Sequence, residues 1–249
     1  MKKTIKFFLI KFLQIIPVNL IINTLKKCIY YKLLSTNVKV GLKQLLELDN
    51  FIYLLTGRYS VEYGHGVHVK KRFTKYVDFF VENVKRVGGP CIDIGCGDGE
   101  VAINIAKQDI RVTAVDISKE QIDMAKRKYV NKNLEFVNCD ILKYDAKGQK
   151  FKTVILSNVL EHIKDRIIFL RKIKKQFSLK YFLIRVPVFD RDWRVPLKKE
   201  LGIDYRLDST HFIEYTEETL LKELTKSSIK IINCKRIWGE FWLLGKSAR

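Results

Sequence analysis

Several residue types are scarce in this 249-residue chain, and each shortage closes off a class of protein. The five cysteines (Cys28, Cys91, Cys96, Cys139 and Cys234) are odd in number, scattered, and never spaced C-x-x-C. This excludes a disulfide framework, offers no zinc-ligand pattern, and suits a reducing, cytoplasmic setting. Acidic residues are missing from positions 1–46, which hold nine lysines. Long apolar runs are missing too. The longest charge-free stretch in that segment, Phe12 to Leu25, is 14 residues and is broken by Gln14, Pro17, Asn19 and Asn23. A membrane-spanning helix needs roughly 20 mainly apolar residues. The Lys2-Lys3 start resembles the opening of a signal peptide, but no small-residue cleavage site follows. Repeats and low-complexity tracts are absent, which excludes a solenoid or a disordered chain.

Positive charge is abundant. The formal net charge is +20, and 34 of the 47 basic residues are lysine. Such a balance invites a polyanion: nucleic acid, anionic lipid or an acidic glycan. A general lysine-rich composition would produce the same number without any partner. Within residues 1–46 the lysines alternate with apolar groups, Phe7 to Ile10, Leu13 to Ile16 and Leu20 to Ile22. That pattern suits a helix lying on an anionic membrane surface, with a helical cap on the main domain as the alternative. The expected division is a basic helical extension with a site loop at 1–69 and a main domain at 70–249.

From residue 47 the pattern is helical, with an expected loop at Thr56–His68 and a helix from Val69 to Val87. Gly88-Gly89-Pro90 ends that helix. Strand-like runs then alternate with helical ones. Cys91–Ile94 leads into the glycine turn Gly95-Cys96-Gly97-Asp98-Gly99, and Arg111–Asp116, Leu134–Asp140, Phe151–Ser157 and Lys180–Val186 follow. This alternation implies a mostly parallel sheet whose ligand site lies at the carboxyl ends of the strands. A long polar and aromatic insert, Pro187 to Tyr215, reads as a site wall. Ile229–Ile237 and Glu240–Gly245 close the chain as an antiparallel pair.

Carboxylates at successive strand ends carry the chemistry. An Asp ending the second strand, about 20 residues beyond a glycine turn, binds a ribose diol, and Asp116 holds that place. Asp140, ending the third, can accept from an adenine amino group. The dinucleotide fingerprint wants its third glycine where Glu100 stands, and a carboxylate there opposes a pyrophosphate. An adenosine ligand carrying an ammonium fits better, with Asp93 able to reach that cation.

Taken together, Ile92-Asp93-Ile94-Gly95-Cys96-Gly97-Asp98-Gly99, Val115-Asp116-Ile117-Ser118, Asn138-Cys139-Asp140-Ile141 and Leu156-Ser157-Asn158-Val159-Leu160-Glu161-His162 resemble the class I S-adenosylmethionine-dependent methyltransferases. The resemblance covers residues 70–245. It is nearest to the small-molecule branch that includes ubiquinone-biosynthesis O-methyltransferases and glycan- or lipid-linked enzymes. It implies an α/β, Rossmann-like, doubly wound seven-stranded sheet, mostly parallel with its last strand antiparallel. It implies S-adenosyl-L-methionine as cofactor, with Gly95, Cys96 and Gly97 at the methionine part, Asp116 and Ile117 at the ribose, and Asp140 and Ile141 around the adenine. Ser157 is expected where cofactor and acceptor meet, and Arg72 is the expected partner of the cofactor carboxylate.

Methyl transfer from a sulfonium needs an aligned acceptor and a route for its proton. Of the four histidines, His211 and His162 are the expected catalytic residues. His65 and His68 are read as acceptor contacts or as ordering their own loop. No metal site is expected, and Asp190 and Asp192 are read as solvated. The expected reaction is O-methylation of a sugar, glycolipid or related small hydroxylated acceptor, in the cytoplasm or on the inner membrane surface. A nucleic-acid methyltransferase is the first alternative, but the chain lacks the Asn-Pro-Pro-aromatic sequence used on exocyclic base amines. A non-catalytic partner at a membrane surface that keeps the fold is the second.

Overall fold

The computed structural model describes residues 16–248. The apolar group Phe7 to Ile10 of the basic extension lies outside them. Two compact units divide the chain, residues 1–55 and 56–249.

The first unit holds α1 (Val18–Leu34) and the greater part of α2 (Val38–Tyr63). Asn37 starts α2 by accepting from the N–H groups of Lys39 and Val40 at 3.0 and 3.4 Å. The two helices approach so closely at the turn that a Cβ on Gly41 would sit 2.9 Å from the Leu33 side chain. Beyond this turn the apolar surface is poorly covered: α1 buries no residue, and Val18, Leu25, Tyr31, Leu34 and Val38 are exposed. Among the described residues, no helix is long and apolar enough to cross a membrane.

The expected loop at Thr56–His68 is corrected by the structure. Helix α2 runs on to Tyr63, and the turn is confined to Gly64–Val69. One glycine inside a helix costs only about 1 kcal/mol, so Gly57 does not end it. The break comes where His65 and Gly66 take positive φ, 52° and 87°. The expected helix from Val69 to Val87 is likewise two, α3 (Lys70–Thr74) and α4 (Tyr76–Val87), separated by Lys75 at φ 51°.

The second unit holds a seven-stranded sheet of order β3-β2-β1-β4-β5-β7-β6. Its strands are β1 (Cys91–Ile94), β2 (Val112–Asp116), β3 (Leu134–Asn138), β4 (Thr153–Ser157), β5 (Tyr181–Pro187), β6 (Ile229–Ile237) and β7 (Glu240–Ser247). The pairs from β3 to β5 are all parallel, and β7 runs antiparallel to both its neighbours, β5 and β6. This is the Rossmann-like arrangement expected from the sequence. Helices α5 (Glu100–Ala106), α6 (Lys119–Lys128), α7 (Arg166–Phe177) and α9 (Glu217–Lys226) flank the sheet, and α8 (Arg194–Glu200) lies within the Pro187–Tyr215 insert.

Strands buried on both faces read as continuous apolar runs. In β1, Ile92 and Ile94 pack with Phe169, Leu170 and Leu220, while Cys91 joins the opposite layer with Phe80, Val84 and Ile105. Caps fix where the helices begin. Ser118 accepts from the Gln121 N–H, and Thr216 forms a reciprocal box with Thr219. Every crossover therefore returns its chain to the same edge, where the carboxyl ends of β1, β2 and β4 meet.

Candidate active site

The glycine turn after β1 is held by the strand beside it. The N–H groups of Gly95 and Cys96 donate to the Val115 carbonyl at 2.8 and 3.1 Å. Gly95 has φ 67°, and a Cβ on it would come 2.7 Å from the Val159 side chain; at Gly99, φ 75°, it would come 2.6 Å from Phe136. Both positions need glycine for conformation and for space. Asp116 completes the turn from β2: its Oδ2 accepts from the Gly97 N–H at 2.9 Å and its Oδ1 from the Ser118 N–H at 2.8 Å. A carboxylate has about four acceptor sites, so two remain for a diol.

A cavity of about 510 Å³ opens against this turn. Gly95, Asp116, Ile117, Asp140, Ile141 and His162 all line it, which brings together six of the expected residues. Ile117 is 76% exposed, an apolar side chain presented at the cavity wall, and Ile141 is buried. Asp140 starts the short 3-10 turn Ile141–Lys143 by accepting from the Leu142 N–H at 3.0 Å. Ser157 does not line the cavity, although its neighbours Asn158 and Val159 do. Cys96 and Gly97 lie in the turn but not on the cavity wall. Burial, then the carboxylates of Asp93 and Asp116, push the Cys96 thiol far up, so it stays a neutral, inert group. Arg72 is placed elsewhere, over the rings of Tyr63 and Phe73 and in a different cavity of about 280 Å³ lined also by His65 and Val67.

Asp93 is 1% exposed, and its Oδ2 has no hydrogen-bond partner. Burial, with Asp116 and Asp98 nearby, pushes its carboxyl up to about 8. Because that value lies above the ordinary 3.8, the protonated form favours folding. The contribution is complete below the ordinary value and is lost as pH rises through about 8. Asp93→Asn is therefore expected to raise the melting temperature of the ligand-free protein by ~5 °C or more in alkaline buffer, the difference shrinking steadily as pH falls toward 3.8. A pH series of thermal melts checks this; equal curves for both proteins would refute it.

Glu100, read from the sequence as an obstacle to phosphate, is compensated in the structure. Its Oε2 lies 2.5 Å from the Lys71 ammonium and accepts from the Tyr76 hydroxyl at 3.1 Å. The carboxylate left unpaired near the turn is instead Asp93, through its Oδ2, although Asp93 does not itself line the cavity. Farther along the strand ends, Arg185 stacks 3.8 Å over the Tyr76 ring centroid and donates to Asn158 Oδ1 at 3.3 Å. Glu240, buried beside Arg185, accepts from Lys70 at 2.5 Å and from the Trp242 indole at 3.0 Å. Lys71 and Arg185 were not picked out in the sequence. A single arginine inside the apolar run Phe182–Val186 was the available signal for the second.

The insert brings His211 to His162. Their rings meet edge to face with centroids 4.6 Å apart, although 49 positions separate them. His211 Nδ1 lies 3.0 Å from Glu214 Oε1, which already accepts from the Leu207 N–H at 2.7 Å. Arg191 donates to the other Glu214 oxygen at 2.6 Å. His162 Nδ1 lies 2.9 Å from the Thr210 hydroxyl, and that hydroxyl donates to Asp208 at 2.7 Å. Burial, then the neighbouring His211, lowers the pKa of His162. Glu161 was quoted only as part of a motif. It is 0% exposed, neither carboxylate oxygen has a hydrogen-bond partner, and burial pushes it up to about 7. His211 also lines an open cavity of about 490 Å³ formed by Gly202–Arg206 and Phe212. His68 starts α3, its Nδ1 accepting from the Lys70 N–H at 3.0 Å. Asp190 and Asp192 are paired with Arg236 and Arg194 respectively.

Residues 91–177, from β1 through α7, match the family described as "Methyltransferase domain". Over those residues the chain is similar to a methyltransferase domain. Among curated proteins, an uncharacterized methyltransferase of Mycobacterium tuberculosis is 30% identical over 91 residues, 36% of this chain and 46% of that protein. A ubiquinone biosynthesis O-methyltransferase of Coxiella burnetii is 33% identical over 95 residues, 36% of this chain and 38% of the relative. The chain thus spans less than half the length of these two relatives. Among solved structures, the magnesium protoporphyrin IX methyltransferase of Synechocystis PCC 6803 with bound SAH superposes with a TM-score of 0.56. That pair is 18% identical and covers 71% of this chain and 84% of the other, a likeness of fold. The cavity at the glycine turn occupies the position where open α/β sheets take their ligand.

Proposed function

We propose that the protein transfers the methyl group of S-adenosylmethionine to a hydroxyl of a small acceptor: a sugar, a glycolipid or a related metabolite. The observation that carries this reading is the contact between two histidines that line different cavities. His162 lines the cavity beside the glycine turn, and its ring touches His211, which lines the open cavity of the insert.

The residues present fit the cofactor. Asp116 offers acceptors to a ribose diol, Asp140 on the cavity wall could accept from a base amino group, Ile117 and Ile141 supply apolar walls for a flat ring, and the unpartnered Asp93 Oδ2 suits an ammonium. When bound, the cofactor supplies an electrophilic methyl on a sulfonium. The chain's own contribution is to hold an acceptor in line and exclude water. His162 and His211, each lining one of the two cavities and in contact with each other, stand on the path of the acceptor hydroxyl. The insert Pro187–Tyr215 walls the acceptor side and sets which hydroxylated molecule enters.

The basic extension supports a second element of this reading, docking on an anionic membrane surface that presents a lipid-linked acceptor. Lys26, Lys27 and Lys32 lie on α1 with no acidic residue and with exposed apolar neighbours. Radiolabelled methyl transfer into fractionated cell extract tests the acceptor: label is expected in the glycan or lipid fraction, and label confined to RNA would sink the assignment. Sedimentation with anionic vesicles tests docking. Lys26→Glu with Lys27→Glu and Lys32→Glu is expected to reduce pelleting ~10-fold or more at low salt.

A further inference from the structure

We infer that Glu161, His162 and His211 form a binding site for one divalent first-row transition cation, set between the cofactor cavity and the acceptor cavity. One nitrogen from each ring and one Glu161 oxygen lie within 4.8 Å of one another. A tetrahedral cation ~2.0–2.2 Å from each donor sets the donors ~3.3–3.6 Å apart, so side-chain rotations of about an ångström complete the set.

Three independent features point to a cation. The first is the Glu161 carboxylate. A buried carboxylate with both oxygens unpartnered is costly, and a metal ion removes the cost by taking a lone pair from it. The second is the orientation of the imidazoles. Glu214 accepts from Arg191 and the Leu207 N–H, so it is a carboxylate acceptor and His211 Nδ1–H is the donor toward it. Thr210 spends its proton on Asp208, so it accepts from His162 Nδ1–H. Both rings are thereby left with a lone pair on Nε2. Histidine ligands have this outer arrangement, the second nitrogen tied to an oxygen acceptor. The third is location: His162 lines one cavity and His211 the other, so an acceptor hydroxyl reaching the cofactor passes the cluster.

The donor set decides the class of metal. Two imidazoles and one carboxylate favour Mn, Fe, Co or Zn as divalent ions over Mg or Ca, which prefer all-oxygen shells. Three protein ligands leave open positions, and there the cation would take the acceptor oxygen and lower its pKa. The use of the site rests on the methyl-transfer reading; the existence of the site does not. In that use, the acceptor O–H proton leaves to solvent through the open cavity. The oxygen pair forms the bond to the methyl carbon, the C–S bond breaks with its pair returning to sulfur, and the cation keeps its oxidation state.

Cobalt(II) is the probe. The full chain, stripped with chelator, is titrated with Co2+ and read by visible absorbance, while S-adenosylhomocysteine binding is followed in parallel by calorimetry. One equivalent of Co2+ is expected to give ligand-field bands that Zn2+ displaces. In Glu161→Gln and in His211→Asn, cobalt affinity is expected to fall ~10–100-fold, and in Glu214→Gln ~10-fold, with thermal melts confirming folding. S-adenosylhomocysteine should bind these variants within ~3-fold of wild type, well under the tenfold that 1.4 kcal/mol represents. Absence of cobalt bands in the wild type, or undiminished binding by folded Glu161→Gln and His211→Asn, overturns the metal site. Cobalt binding without S-adenosylhomocysteine binding overturns the methyl-transfer reading and leaves the metal site standing.

Discussion

Asp116→Ala is expected to weaken S-adenosylhomocysteine binding by at least ~100-fold, about 2.7 kcal/mol. The carboxylate does two things at once. It accepts from the Gly97 and Ser118 N–H groups at 2.9 and 2.8 Å, which fixes the glycine turn against the start of α6. It also lines the cavity, with lone pairs left for a diol. Hydrogen bonds to a charged group are worth about 1.5–3 kcal/mol each, so losing the diol contacts alone accounts for the expected change. Relaxation of the turn adds to it. Asp116→Asn keeps one carbonyl acceptor and is expected to lose only ~10-fold, or about 1.4 kcal/mol. Calorimetry on folded protein measures both; alanine binding within a few-fold of wild type would refute the place given to Asp116.

Arg191→Met is expected to cost ~3–5 kcal/mol of unfolding free energy, because it leaves the buried Glu214 carboxylate without its cation. The Glu214 side chain is fully buried and lies 2.6 Å from the Arg191 guanidinium. Arg191 also donates to the carbonyls of Val188 and Tyr205, at 3.0 and 2.8 Å, and so ties the beginning of the insert to its middle. Glu214 in turn holds His211. Replacing both charges, as Arg191→Met with Glu214→Leu, removes the buried-charge penalty and is expected to recover ~1–3 kcal/mol of the loss. Denaturant unfolding of the two proteins decides it. A single variant within ~1 kcal/mol of wild type, the ordinary worth of an exposed ion pair, would show that the insert is not held this way.

Legibility in the sequence differed from element to element. Strands β1, β2 and β4 are buried on both faces, so each reads as an apolar run, and glycine, aspartate or serine marks its end. Asp116, Asp140 and the glycine turn were legible for that reason: they stand at fixed offsets from strands, and the sheet sets the offsets. The stretch Thr56–Tyr63 was not, because glycine, tyrosine and charged residues in one short run look like a loop while costing a helix little. Arg72 reads as a cofactor contact from its helix position, yet the break at Lys75 separates α3 from α4, and the side chain packs between Tyr63 and Phe73. Glu161 reads as an ordinary polar residue beside a histidine; only the folded insert removes it from water.

The sequence by itself determined the class of fold, the order of its strands and the strand-end residues that line the cavity. Those follow from periodicity and from punctuation by glycine and aspartate, which are local properties of the chain. The tertiary structure alone decided which distant groups meet: His162 with His211, Glu161 sealed without a partner, and Glu214 shared between Arg191 and His211. Burial and pairing across 49 residues depend on how the insert packs back over the strand ends. No local pattern encodes that, because the energies involved, desolvation and charge pairing, exist only once the insert is in place.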